Sequence, residues 1–249
     1  MEQINSVCTV EAKYGGDSVI TVLRREEKYP LSLKNARIYS NMLSAVLMSD
    51  GFSGDGGYMV RSLYFDTPDD KDFFEKMTEQ NLRRKIRLRI YSPNDTKAKL
   101  ELKQKENIFQ KKRSLTIQKE DAIRLIDGEY SVLLNYDDDF AAELFAIMST
   151  EVYKPKSIVE YHRKAFMAKE NNIRLTFDSE IRATESSFDL FSDNLPMYSV
   201  FPMDRVVFEV KYDKFLLSYI SDIISKIDER NITTSKYCLS RMQGYSMYI

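Results

Sequence analysis

Charged and apolar residues separate at period two in many short stretches of this chain, and a strand sends alternate side chains to opposite faces. In 85–91, Lys85, Arg87 and Arg89 fall on one face, and Ile86, Leu88 and Ile90 on the other. In 100–105, Glu101, Lys103 and Lys105 oppose Leu100 and Leu102. Arg174, Thr176 and Asp178 oppose Ile173, Leu175 and Phe177 in the same way, and Glu209 and Lys211 share a face within 206–212. Arg24, Glu26 and Lys28 lie together in 24–29, and 58–66, 112–118 and 157–167 also read as strands, which makes eight. Helices are predicted between them. Ser32 is the expected N-cap of 33–48, and Thr67-Pro68 reads as an N-cap with proline at the first helical position of a helix through Phe73, Phe74 and Met77. Further helices are expected at 119–127, closed by Gly128, at 139–149, at 214–227, and at the Tyr-rich C-terminus with Tyr237, Tyr245 and Tyr248. The run 51–57, with four glycines, is a loop between helix and strand; it lacks the Lys-Ser/Thr ending and the strand-before-helix context of a phosphate loop.

Eight mostly antiparallel strands with one apolar and one charged face can satisfy their edges by closing into a barrel. The helices must bury their own stripes, so if the apolar strand faces pack against them, the charged faces line the lumen. A sandwich with its charged faces in water remains the alternative. The concentration of basic residues, in place of a mixed polar face, favours the lumen. The expected fold class is therefore α+β, an eight-stranded mostly antiparallel barrel with a charged lumen and helices packed outside.

Composition narrows the class. Of 249 residues 43% are hydrophobic and 30% charged, with 8 Gly and 6 Pro, so the chain is an ordinary globule and not a disordered or fibrous one. No linker or composition break divides it, and residues 1–249 are expected to form one domain. Two cysteines without a CxxC or Cys/His cluster predict neither a disulfide framework nor a zinc site and suit a cytoplasmic setting. No leader-like or membrane-spanning run is seen, so a membrane channel, if one serves this chain, would be a separate partner. The formal net charge of -1 conceals segregation. Residues 83–113 hold twelve basic against three acidic side chains, whereas 120–143 hold eight acidic against one basic. Local focusing therefore allows an anion site despite the balanced total.

Taken in order, several strings resemble the triphosphate tunnel metalloenzymes, and most closely their VTC-domain polyphosphate polymerase branch. They are Arg24-Arg25-Glu26-Glu27-Lys28-Tyr29, Ser62-Leu63-Tyr64-Phe65-Asp66, Ile86-Arg87-Leu88-Arg89, Glu101-x-Lys103, Tyr161-x-Arg163-x-Ala165-Phe166, Ile173-Arg174-Leu175, Phe208-Glu209-Val210-Lys211 and Ser235-Lys236-Tyr237. Where the wider superfamily carries Glu-x-Glu-x-Lys, this chain has Arg24 in place of the first Glu, which points away from the CYTH-type triphosphatases and toward the polymerases. The resemblance implies that Arg87, Arg89, Arg163, Lys211 and Lys236 act on the transferred phosphoryl group. By the same resemblance Lys28, Lys76, Lys103, Arg174 and Ser235 bind the substrate, and Glu209 ligates Mn²⁺ or Mg²⁺. Thr233 stands where the branch often has a second basic residue.

The implied function is transfer of the γ-phosphoryl of ATP to phosphate or to a growing polyphosphate chain. The alternatives are a tunnel triphosphatase and a non-catalytic polyanion binder. Nucleic acid is disfavoured because the basic strands are interleaved with Ile and Leu and not with aromatics for base stacking. Chemically the cation set suits phosphate, since Arg donates in a planar fork and Lys adds point charge. Glu26 and Glu101 read as charge-balancing partners, Asp178 as a support for Arg174 or its neighbours, and the single histidine, His162, as facing away from Arg163.

Overall fold

A computed structural model describes residues 6–13, 19–54, 56–107, 109–233 and 235–245. Among the described residues eleven strands form one sheet: β1 (Ser6–Lys13), β2 (Val19–Ser32), β3 (Met48–Ser49), β4 (Tyr58–Asp66), β5 (Leu82–Ile90), β6 (Lys97–Glu106), β7 (Phe109–Gln118), β8 (Lys154–Ala168), β9 (Ile173–Thr184), β10 (Tyr198–Ser199) and β11 (Arg205–Asp213). The order is β10-β9-β11-β2-β1-β7-β6-β5-β4-β8-β3, and β8 also pairs with β9. All ladders are antiparallel except the short parallel contact of β1 with β7. Eight strands were expected, and each is present; β1, β3 and β10 are additional. β3 and β10 are two-residue bridges, too short for any alternation to register.

The described residues also form six α-helices: α1 (Leu33–Ser44), α2 (Lys71–Met77), α3 (Lys119–Ile126), α4 (Asp139–Thr150), α5 (Ser218–Ile224) and α6 (Lys236–Tyr245). Ser32 caps α1 as expected, its hydroxyl accepting from Asn35 N at 3.2 Å. α2 starts three residues later than Thr67-Pro68 suggested, with Lys71 and not Pro68 as its first residue. Asp66 accepts from the amides of Thr67, Asp72 and Phe73 at 2.8, 2.9 and 2.9 Å, and Thr67 Oγ1 accepts from Lys71 N, so these two side chains receive the amides of the helix's own first turn, while 67–70 form a separate turn before it that ends on Asp70 at a left-handed φ of 57°. α5 is shorter than its apolar pattern, because Lys214 takes a left-handed φ of 61° and breaks the run before it. Tyr248 lies outside the described residues, as does the side chain of Tyr245.

The apolar strand faces do pack against helices. Ile86, Leu88 and Ile90 of β5 and Leu100 and Leu102 of β6 are fully buried with Ala122 and Leu125 of α3 and Leu144 and Met148 of α4. Leu175 and Phe177 of β9 and Phe208 and Val210 of β11 are buried with Leu43 of α1 and Ile220 and Ile223 of α5. Each fully buried aliphatic side chain of this kind is worth about 1.5–3 kcal/mol. α6 enters a third cluster, where Tyr237 and Cys238 meet Val60, Tyr64, Val159, Tyr161 and Val207. With the apolar faces occupied, the charged faces of the same strands are turned to the side opposite α1, α3, α4 and α5. Among the described residues no helix is long and apolar enough to cross a membrane.

Candidate functional site

The charged faces bring their side chains together in three groups. In the first, Glu101 of β6 accepts from Arg87 Nε at 2.6 Å, lies 3.8 Å from Arg89 Nη1, and pairs with Lys112 of β7. Arg87 also donates to the Tyr64 hydroxyl at 3.3 Å, and Arg89 Nε to Ser62 Oγ at 3.1 Å. Enclosure pushes the Glu101 carboxyl up, but Arg87, Arg89 and Lys112 outweigh it and hold the group down at about 2.

In the second group, Lys28 Nζ is 2.9 Å from Glu26 and 3.9 Å from Glu209, while Lys211 Nζ is 2.7 Å from Glu209 and 4.0 Å from Glu26. Lys103 of β6 reaches the same Glu26 at 3.9 Å. Two strands, β7 and β1, separate β6 from β2 in the sheet order, so this contact spans the charged face and is not made between ladder neighbours. Burial works against the Lys28 ammonium, yet Glu26 and Glu209 reverse the effect and hold it above the ordinary lysine range. Burial also works against the Glu26 carboxylate, and Lys211, Lys28 and Lys103 keep it well below the ordinary range. Lys103 goes the other way: enclosure and the crowding of Lys211 and Lys28 bring it down to about 8 against the pull of Glu26. Its side chain is 40% accessible, so water reaches an ammonium that protein nonetheless surrounds.

In the third group, the fully buried Asp178 of β9 accepts both Arg163 Nε and Nη2 at 2.7 Å and Lys236 Nζ of α6 at 2.6 Å. The two cations overcome burial and keep Asp178 ionised far below the usual range. Arg163 Nη2 is 4.0 Å from Glu209, which joins this group to the second. Tyr161 lies beneath both cations, with Arg163 at 5.1 Å and Lys236 at 4.6 Å from its ring centre.

Most of the residues expected from sequence are thus in these groups: Lys28, Arg87, Arg89, Lys103, Arg163, Glu209, Lys211 and Lys236. Ser235 is one step removed and accepts from Lys85 Nζ at 2.8 Å. Arg174 turns toward the strand ends, where its Nη2 donates to Asp50 Oδ2 at 2.9 Å and to the Tyr58 hydroxyl oxygen at 3.2 Å. Asp178 therefore supports Arg163 and not Arg174. Lys76 has Glu79 of the following turn as its ion-pair partner, at 3.5 Å, and that carboxylate belongs to none of the three groups.

Lys85, Lys112 and Tyr64 complete the arrangement and were not singled out by sequence. Lys85 stands beside Lys103 in the β5–β6 register and Lys103 beside Lys112 in β6–β7, which makes a row of three lysines. Among the described residues no carboxylate pairs with Lys85, whose ammonium lies over the rings of Tyr64 and Tyr237, and burial lowers its pKa. The signal for Lys85 was its parity with Arg87 and Arg89. Tyr64 lies within one of the resembling strings but was given no role, and nothing local marked Lys112.

Glu209 and Glu26 are the carboxylates that could hold a divalent cation. Among the described residues no three His, Cys, Asp or Glu side chains gather as a metal cage. A pair of carboxylates nonetheless fits Mg²⁺ or Mn²⁺, which complete their shells with phosphate oxygens and water. Lys28 and Lys211, now holding these carboxylates, would be free to re-pair with the phosphates.

Comparison with solved structures finds distant likenesses. They include a candidate adenylate cyclase from Bacillus halodurans, at 12% identity over 84% of this chain and 92% of that one with a TM-score of 0.48. Another is a candidate adenylate cyclase from Vibrio parahaemolyticus, at 15% identity over 87% and 97% with a TM-score of 0.46. A third is the PH1012 protein from Pyrococcus horikoshii, at 13% identity over 86% and 97% with a TM-score of 0.42. None of the curated proteins matches the chain. The family profile of the VTC domain matches residues 23–245, a span that takes in all three charged groups and α6, and the chain belongs to the VTC domain family.

Proposed function

We propose that this chain is a metal-dependent polyphosphate polymerase, which moves the γ-phosphoryl of ATP to phosphate or to the end of a polyphosphate chain. The observation that carries the reading is the imbalance on one sheet face. Apart from the outlying Lys76–Glu79 pair, ten cations take part in the contacts described above with only five carboxylates, Glu26, Asp50, Glu101, Asp178 and Glu209. The row of Lys85, Lys103 and Lys112 is destabilising by itself and is relieved by a bound polyanion. Family membership and the succession of pairings from β9 through β11, β2, β1, β7, β6, β5, β4 and β8 back to β9 support a barrel whose lumen is this charged face. The charge contributed from several strands suits a phosphate chain threaded through it.

Phosphoryl transfer asks mainly for positioning and charge neutralisation. Arg87, Arg89 and Arg163 would clamp phosphate oxygens in bidentate fashion, while Lys103, Lys211 and Lys236 supply fixed charge. Glu101 and Asp178 hold those guanidinium groups in place before the nucleotide arrives, so no reorganisation is needed at the moment of transfer. An oxygen of the acceptor phosphate forms the new bond to the γ-phosphorus as the bond to the β,γ-bridging oxygen breaks, and ADP leaves with that electron pair. A divalent cation on Glu209, with Glu26 beside it, would supply further neutralisation of the phosphates. Arg24, standing where the triphosphatases have a glutamate, lies 4.0 Å from Asp213 and brings no further carboxylate to the site, which favours the polymerase reading over hydrolysis.

Glu209→Ala is expected to lower metal-dependent ADP release by about 100-fold or more while tripolyphosphate binding persists. Retained turnover in that variant would contradict the assignment.

The low pKa of Lys103 adds a pH signature. Between about 8 and the ordinary 10.5 the empty protein carries this lysine neutral, and a bound anion restores its charge. Tripolyphosphate affinity is therefore expected to fall about tenfold from pH 7 to 9.5, with net proton uptake on binding near pH 8.5. Titration calorimetry in buffers of different ionisation enthalpy reads that uptake. In the empty protein the same shift makes stability rise across this window, because the unfolded chain binds the proton that Lys103 has lost.

A further inference from the structure

We infer that the strand ends beside Arg174 carry a base-stacking platform, made by Phe52, Tyr58 and Tyr91, that takes the purine of a nucleoside triphosphate whose phosphates lie among the cations. The inference rests on the polyanion site proposed above and adds the part of the ligand that is not an anion.

Phe52 is 83% exposed, and Tyr91 40%. The two rings are nearly parallel, at 7° with centres 6.4 Å apart, and Tyr58 sits edge-on to Phe52 at 6.3 Å and 5.9 Å from Tyr91. Lys99 Nζ lies 5.7 Å from the Tyr91 ring centre. Three aromatic rings gathered at the surface, with one of them left almost wholly open to water, have no packing role that explains their exposure.

Phe52 is also held in place and not merely exposed. Asp50 Oδ1 accepts from Phe52 N at 3.2 Å and from Ser53 Oγ at 2.9 Å, while its Oδ2 takes the Tyr58 hydroxyl at 3.0 Å and Arg174 at 2.9 Å. Ser53 Oγ in turn accepts from Ala165 N of β8 at 3.0 Å. The loop reaches β8 closely enough that a Cβ on Gly57, at φ +86°, would stand 2.5 Å from the Arg163 carbonyl oxygen. The glycines that are wrong for a phosphate loop are right for a loop that lays an aromatic ring at a strand end.

Continuity with the cation site names the ligand. Tyr58 stands opposite Arg163 in the β4–β8 register, and Arg174 stands opposite Lys211 in β9–β11. Tyr58 of β4 and Lys99 of β6 share their strand faces with Ser62 and Glu101, and Tyr91 follows directly on the end of β5, next to both Tyr58 and Lys99, so the rings border the same charged face. A chain made only of phosphates gains nothing from a phenyl ring. A nucleotide presents a planar base next to its phosphates, and the platform offers stacking with flanking positive charge. The alternation of the basic strands with Ile and Leu concealed this from the sequence, because the aromatics come from strand ends and a loop.

The test compares ATP with inorganic tripolyphosphate. Phe52→Ala is expected to weaken ATP binding about tenfold and to leave tripolyphosphate affinity unchanged within about twofold. The chain has no tryptophan, so Phe52→Trp installs a single fluorophore; it should keep ATP affinity and be quenched by ATP but not by tripolyphosphate. Equal losses for both ligands, no loss for ATP, or an indole indifferent to ATP would overturn the platform while leaving the polyanion site standing. A wild-type protein that binds neither ligand would overturn the site and the platform together.

Discussion

Asp178→Ala is expected to lower the unfolding free energy by about 3–5 kcal/mol, the cost of removing one partner from a buried, hydrogen-bonded charge group. Asp178 is fully buried and holds the Arg163 fork and the Lys236 ammonium at once, so its loss leaves two cations facing each other across an empty position. The effect extends beyond stability, because Lys236 opens α6, and without Asp178 that helix loses one of its ties to the sheet. Urea unfolding measures the first effect and tripolyphosphate titration the second. Asp178→Asn keeps the shape and some acceptor capacity and should fall between wild type and alanine. The pH sign follows from the depressed carboxyl: this contribution is complete above the ordinary Asp range near 3.9 and is lost as pH falls toward the folded value. A loss below about 1 kcal/mol for Asp178→Ala would show that the triad does not hold the site together.

Arg87→Ala carries the largest kinetic effect, a fall in turnover of about 10²- to 10³-fold. The fold should survive it, since Glu101 keeps Arg89 and Lys112 as partners. Arg87→Lys restores charge without the planar fork and is expected to recover only a small part of the rate. Turnover within about threefold of wild type for Arg87→Ala, measured as ADP release at saturating ATP, would remove Arg87 from the transferring group.

Strand content was legible because charge and apolarity alternate wherever one strand face meets a helix and the other does not. Ile86, Leu88 and Ile90 sit at full burial opposite Lys85, Arg87 and Arg89, so parity alone assigned both faces. The pattern fails where that condition fails. β3 and β10 are too short to alternate, and the start of α2 was set by the Asp66 carboxylate receiving amides of the helix's first turn from outside it, a contact that no propensity announces. Within the site, parity grouped the cations but could not say which would meet. Lys103 reaches Glu26 over two intervening strands, and Arg174 is drawn to Asp50, 124 residues away in sequence. Lys76 lies on a helix, where period two gives no information, and its partner is the next turn's Glu79. Lys85 had the right parity, yet its relation to Ser235 exists only once α6 has docked.

The central claim is tested most directly by incubating the purified protein with γ-labelled ATP, Mn²⁺ and a tripolyphosphate acceptor, and resolving the products on a gel. A ladder of labelled polyanions growing in step with ADP release is the predicted result. Label released only as free phosphate, or no ADP at all, would contradict it.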